Sequence, residues 1–139
     1  QEVETSEKRT HSPYDPRVNY KAFVAKVRSE IFHLVRLLSI KNYAEAELAI
    51  NNSGDDAWNE DRFEQALKGF YEISPQIISD PRARNPELTK INKVSDTEYE
   101  ITHTLLDEQD DSWHLNVTVD LKERRDESAP LLFLKSIEG

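Results

Sequence analysis

Between Asp15 and Lys41 the apolar residues Tyr20, Phe23, Val24, Val27, Ile31, Leu34, Val35 and Leu38 recur every three or four positions. That spacing predicts one long amphipathic helix, with Asp15 as its cap and Pro16 at the first helical position, where a missing N–H costs nothing. A stripe about six turns long, at about 3.6 residues per turn, needs the rest of the chain as its cover. Asn42 to Ile50 reads as a short second helix capped by Asn42, and Asn51 to Asp56 as a turn. Asn59 is placed to cap a third helix, with Glu60 and Asp61 in its first turn and an apolar face of Phe63, Ala66, Leu67, Phe70 and Tyr71. Trp58 stands where it can staple back onto that face, and Pro75 marks the end. Gly69 inside the helix costs about 1 kcal/mol relative to Ala, and close packing against the first helix is the expected reason for it.

After Asp80-Pro81-Arg82-Ala83-Arg84-Asn85-Pro86, an irregular connector, the period changes to two. Leu88 to Val94 is a weak strand. Thr97 to Leu106 places Tyr99, Ile101, His103 and Leu105 on one face, and Ser112 to Leu121 places Trp113, Leu115, Val117, Val119 and Leu121 inward. Leu131 to Ile137 is a fourth, more uniformly apolar strand. The short polar connections Asp107 to Asp111 and Lys122 to Ala129 imply antiparallel neighbours. The expected fold class is α+β: three N-terminal helices on one face of a four-stranded antiparallel β-meander, cone-like or cystatin-like.

Composition places these elements in one domain, residues 15–139, preceded by a polar tail or linker over residues 1–14. At 139 residues and 37% hydrophobic content, the chain is long enough for one core and too short for two. No apolar run reaches the roughly 18 residues of a membrane span, and the N-terminus lacks the basic-then-apolar pattern of a signal peptide. The chain has no Met, not even an initiator, so it reads as an excised or processed piece. The absence of Cys excludes disulfides, thiolate zinc sites and a Cys nucleophile, and a cytoplasmic location is expected.

The net charge of −9 argues against general nucleic-acid binding, but it is unevenly spread. Residues 13–41 hold six Lys/Arg against two Asp/Glu, whereas residues 42–86 hold four against nine and residues 87–139 six against thirteen. The long helix is a basic island. Arg17, Lys21 and Arg28 fall within a band flanking its apolar stripe, with Arg36 further round. Such a band is either a solvated edge whose stems cover the stripe or a contact strip for phosphates or an acidic protein surface.

Little else carries chemistry. Asn51 to Asp56 is oxygen-rich like a calcium loop, but Asp56 stands where the loop needs Gly and Arg62 where it needs a bidentate Glu. Asp107-Glu108-Gln109-Asp110 imitates a helicase acidic box without any phosphate-cradling Gly-Lys-Ser/Thr loop, so it reads as a hairpin turn. His11 lies in the tail, His33 on the polar side of the long helix and His114 toward solvent. His103 alone falls on a buried face, beside Tyr99. It is either a hydrogen-bonded core residue or a pocket acid/base, which would need a carboxylate partner. Trp58 and Trp113 belong to apolar patterns and read as core anchors.

Val24 to Leu38 (V-A-K-V-R-S-E-I-F-H-L-V-R-L-L) resembles the "V-R-N-x-L-F-R-x-V-x-L" helix of an uncharacterised domain at the C-terminus of bacterial superfamily II DEAD/DEAH-box helicase-like proteins. Tyr43, then Trp58 with Arg62, Ala66, Leu67, Phe70 and Tyr71, is similar to its "Y … G-W … A-L-x-x-Y-F" segment. Asp80 to Pro86 is similar to its "G-P-D-A-R-G-P" connector, and Trp113, Val117, Val119, Asp120 and Leu121 to its "D-W-x-I-x-A-x-V-D-L" strand. The likeness spans about residues 19–139 and rests on the order of individually weak motifs. Asp80 and Asn85 replace family glycines, and Ala57 stands where Gly commonly precedes the Trp.

The resemblance implies a non-catalytic accessory domain, with ATP hydrolysis and unwinding left to an upstream core. The implied partners are the helicase core of the same polypeptide and RNA or another nucleic acid. It brings no catalytic residue, cofactor or metal. Arg82 and Arg84, in the shared connector, join Arg17, Lys21 and Arg28 as candidate contacts, unless the connector is a loop pinned by Arg–carboxylate pairs. The rival expectation is a small-ligand-binding or enzymatic cone-shaped domain with an apolar pocket near Tyr99 and His103.

Overall fold

A computed structural model describes residues 16–52, 57–107, 113–121 and 130–138. The tail, the tip of the Asn51–Asp56 turn and most of both hairpin connections lie outside them. Helix α1 spans Tyr20–Ser39. Its cap is Asn19, whose extended backbone lets Oδ1 accept from Ala22 N at 3.1 Å. Pro16 therefore lies in the turn before the helix rather than at its first position. Asn caps as well as Asp, and Asn19 stands immediately before the stripe. Phe23, Val27, Ile31, Leu34, Val35, Leu37 and Leu38 are buried. Tyr20, expected on the stripe, is 52% exposed, because the helix starts there and its first turn projects past the cover.

The end of α1 has an unusual backbone. Lys41 N donates to Leu38 O and Asn42 N to Leu37 O, the paired bonds that close a helix around a left-handed residue, normally Gly. Here that residue is Lys41, with φ 60°. Its ammonium lies 4.4 Å from the centre of the Tyr71 ring. A side chain in the left-handed region costs about 1 kcal/mol, and an exposed cation–π contact returns about 0.5–1 kcal/mol. Lys41→Ala, which keeps the strain and loses the contact, is expected to destabilise by about 0.5–1 kcal/mol, whereas Lys41→Gly stays within about 0.5 kcal/mol of the parent. Urea denaturation decides this, and an Ala variant more stable than the Gly variant would refute it.

Helix α2 spans Tyr43–Leu48 and α3 spans Glu60–Ile73. Asn42 and Asn59 cap them through Glu45 N and Arg62 N. Between them Asn52 grips Trp58, accepting from its N–H at 2.9 Å and donating to its carbonyl at 2.8 Å. So held, the indole packs at a tilt against Phe63, in the first turn of α3, with 5.0 Å between ring centres. Its Nε1 donates to Leu134 O at 2.9 Å, and the Arg62 guanidinium lies over the ring, 4.0 Å from its centre. Gly69 is explained differently than expected. A Cβ there would meet the Trp113 ring at 3.1 Å, so the tight neighbour is on the strand side, not the first helix, and an added methyl would need that ring to give by a few tenths of an ångström.

Strands β1 (Thr89–Lys93), β2 (Glu98–Thr104), β3 (His114–Asp120) and β4 (Phe133–Glu138) form an antiparallel sheet in the order β1-β2-β3-β4. Tyr99, Ile101 and His103 pair with Val119, Val117 and Leu115, and all six are buried. The alternate residues form a polar face on which Asn116 bridges Thr102 and Ser136. Helices cover the apolar face: Phe23 meets Tyr99 at 4.9 Å and Phe70 meets Trp113 at 5.9 Å. Glu30 reaches across from α1 to accept from Leu131 N at 2.8 Å and Leu132 N at 3.3 Å. Burial raises its carboxyl pKa against the pull of those amides and of Lys26, whose Nζ lies 3.5 Å from Oε2 in an ion pair. Among the described residues no helix is long and apolar enough to cross a membrane.

Candidate functional site

Arg28, Phe32 and Arg36 stand four residues apart, and that spacing aligns them along α1 as one ridge. Beside the ridge runs the connector between α3 and β1. Ile77, Ile78 and Ala83 anchor it in the protein, and two short 3-10 turns, Pro81–Arg84 and Pro86–Leu88, shape it. Asp80 and Asn85 cap the two turns through Arg82 N and Glu87 N. Their φ values are −76° and −59°, so replacing glycine there strains nothing, and each side chain supplies a bond that glycine lacks. The positive-φ residue among the described non-glycines is Lys41, so Ala57 is unstrained as well.

The five expected contact residues do not share one fate. Arg17 lies in the turn before α1, not on the helical band. Lys21 is on the first turns of α1 and exposed. Arg28 is half-buried, stacked over Phe32 at 5.3 Å, and its Nη2 donates to the Arg84 carbonyl at 2.8 Å. It is the rivet that holds the connector against the helix. Arg82 closes a fork on Asp80, Nη2 to Oδ2 at 2.8 Å and Nε to Oδ1 at 3.1 Å, and this bonding holds the Asp80 carboxyl below its usual range. The reading of the connector as pinned by an Arg–carboxylate pair describes Arg82. Arg84 is different, since its main chain is bound while its guanidinium stands exposed.

Connector and ridge enclose a groove of about 330 Å³. Its lining combines the apolar Phe32, Val35 and Ala83 with Arg36, Arg84, Ser79 and Asp80. Arg36 was the cation placed furthest from the basic band, and the connector's path brings it into play. The four-residue spacing from Arg28 was the available signal.

Tyr99 and His103 are both enclosed in the protein, with His103 1% exposed. The His103 Nδ1 lies 2.8 Å from the Thr89 hydroxyl across the β1–β2 ladder, and the Phe32 ring meets it edge-on at 6.2 Å. Burial first, and the nearby Arg28 charge second, pull its pKa down to about 4. The imidazole is thus neutral at pH 7 and faces a hydroxyl, a ring and a cation. Neither it nor Tyr99 lines the groove above, the cleft of about 510 Å³ at Lys41, Tyr43 and Tyr71, or the smaller one beside Glu30 and His33.

No curated protein and no solved structure matches the chain. One family does, over residues 1–137, under the description "Domain of unknown function (DUF3516)". The chain belongs to that family.

Proposed function

We propose that this domain is a non-catalytic accessory module of a DEAD/DEAH-box helicase polypeptide, and that its α1–connector surface docks on the helicase core or helps guide RNA. The carrying observation is the bond from Arg28 Nη2 to the Arg84 carbonyl. It joins two basic segments, 56 residues apart in sequence, into one surface on an otherwise acidic chain. The motif order quoted above supports the helicase context. Lys21, Arg36 and Arg84 are exposed cations of this surface, while Arg28 holds its shape and Arg82, also exposed, is paired with Asp80.

Anisotropy of labelled single-stranded and duplex RNA, titrated with the domain at low and moderate salt, tests the guiding role. Contact through these three cations predicts a log–log salt slope of about −2 to −3, lost in a Lys21→Glu/Arg84→Glu variant. Absence of RNA binding at low salt leaves docking, which is read by the ATPase rate and RNA affinity of the intact polypeptide with and without residues 16–138. The proposal fails if neither quantity changes and no contact with the core forms.

A further inference from the structure

We propose that the groove between α1 and the Ser79–Arg84 connector receives an acidic peptide segment bearing an apolar side chain. This rests on the reading of the domain as a docking module and specifies the chemistry of what docks. Arg36 and Arg84 both line the groove, both are exposed, and neither side chain engages a partner among the described residues. The one carboxylate in the lining, Asp80, is taken by Arg82, so it does not neutralise them. Guanidiniums suit carboxylates, which they bind through paired N–H bonds.

The apolar part of the lining narrows the class further. The half-buried Phe32, backed by the buried Val35 and Ala83, offers apolar surface in a space near the lower limit of ligand pockets, about 300 Å³, which suits a side chain rather than a whole cofactor. Ser79 adds a hydroxyl beside it, 3.2 Å from that of Ser39. RNA fits less well. The Arg28 guanidinium lies over the Phe32 ring at 5.3 Å, and the surface that a stacked base would need there is partly taken. The polar sheet face carries Glu98, Glu100, Asp120 and Glu138, and with a net charge of −9 the surface beyond the groove disfavours a polyanion long enough to reach it. A short acidic segment meets only the local cations.

The probe is a fluorescein-labelled peptide of alternating glutamates and leucines, titrated into the 139-residue chain. The same peptide with serines for leucines and a single-stranded RNA of equal length are the comparators. Binding of the Glu/Leu peptide should weaken at least tenfold in the Arg36→Glu/Arg84→Glu variant and at least threefold when serines replace leucines. Both arginines are exposed, and circular dichroism verifies that the variant is folded. An Arg36→Lys/Arg84→Lys variant keeps the charge and should lose affinity by an intermediate factor. Peptide binding that ignores the charge reversal, or is indifferent to the leucines, overturns the groove assignment. So does RNA that outcompetes the peptide for it. If deleting the domain alters the helicase ATPase rate while the peptide fails, the groove assignment falls and the module reading stands.

Discussion

Lowering the pH from 7 to 4 is expected to remove on the order of 3 kcal/mol of stability through His103, taking the gap between 6.5 and about 4 at about 1.4 kcal/mol per pH unit. The direction follows from proton binding. Between those values the unfolded chain holds a proton on this imidazole and the native chain does not, so acid favours unfolding. The contribution is fully present above pH 6.5 and falls away as the pH drops toward 4. Burial among Thr89, Phe32 and the strand backbone is the larger cause, and the Arg28 guanidinium adds to it. Glu30 works the other way. Its raised carboxyl takes up a proton in the fold before the unfolded chain does, which offsets part of the loss just above pH 4.5. Urea midpoints at pH 7, 5.5 and 4 measure the net effect. His103→Phe keeps a ring in the site and should flatten the profile, at a cost of about 1 kcal/mol at pH 7 for the Thr89 hydroxyl left without its partner. A His103→Phe profile as steep as the parent's would remove His103 as the cause.

Trp58→Ala is expected to cost about 3–5 kcal/mol, a third or more of the stability of a typical domain, and to lower the melting temperature by about 10–20 °C. The indole is 4% exposed and joins three parts of the protein. It staples the start of α3 through Phe63, reaches β4 through the Leu134 carbonyl, and is fixed at its own backbone by Asn52. Trp58→Phe separates packing from hydrogen bonding. It fills most of the space but leaves the Leu134 carbonyl unpaired, and should cost about 1–2 kcal/mol. Thermal melts of the two variants distinguish the contributions. Equal losses would mean that the hydrogen bond, not the bulk of the ring, dominates.

Much of the scaffold was legible because its signals are local. The stripe of α1, the caps at Asn42 and Asn59, the Trp58 staple and the two-residue alternation of β2 and β3 each need only neighbours in sequence, and each is found where the pattern places it. The errors are local competitions with more than one good candidate. Asn19 took the cap expected of Asp15, and Tyr20 lost its burial with the helix start. Gly69 is the long-range exception: its partner, Trp113, lies 44 positions away, a distance at which periodicity carries no information.

The candidate site divides the same way. Sequence alone determined that the chain is α+β, that its cations concentrate on the first helix while the remainder is acidic, and that Arg82 and Arg84 sit in a connector. These follow from residue type and spacing. Only the tertiary structure decided which cations are spent on the protein and which are left over. Asp80 turned back onto Arg82, the Arg84 carbonyl captured Arg28, and Arg36 and Arg84 came to line one groove. The physical reason is that a charge is neutralised by what lies within a few ångströms of it, and the fold, not the order of residues, sets those neighbours.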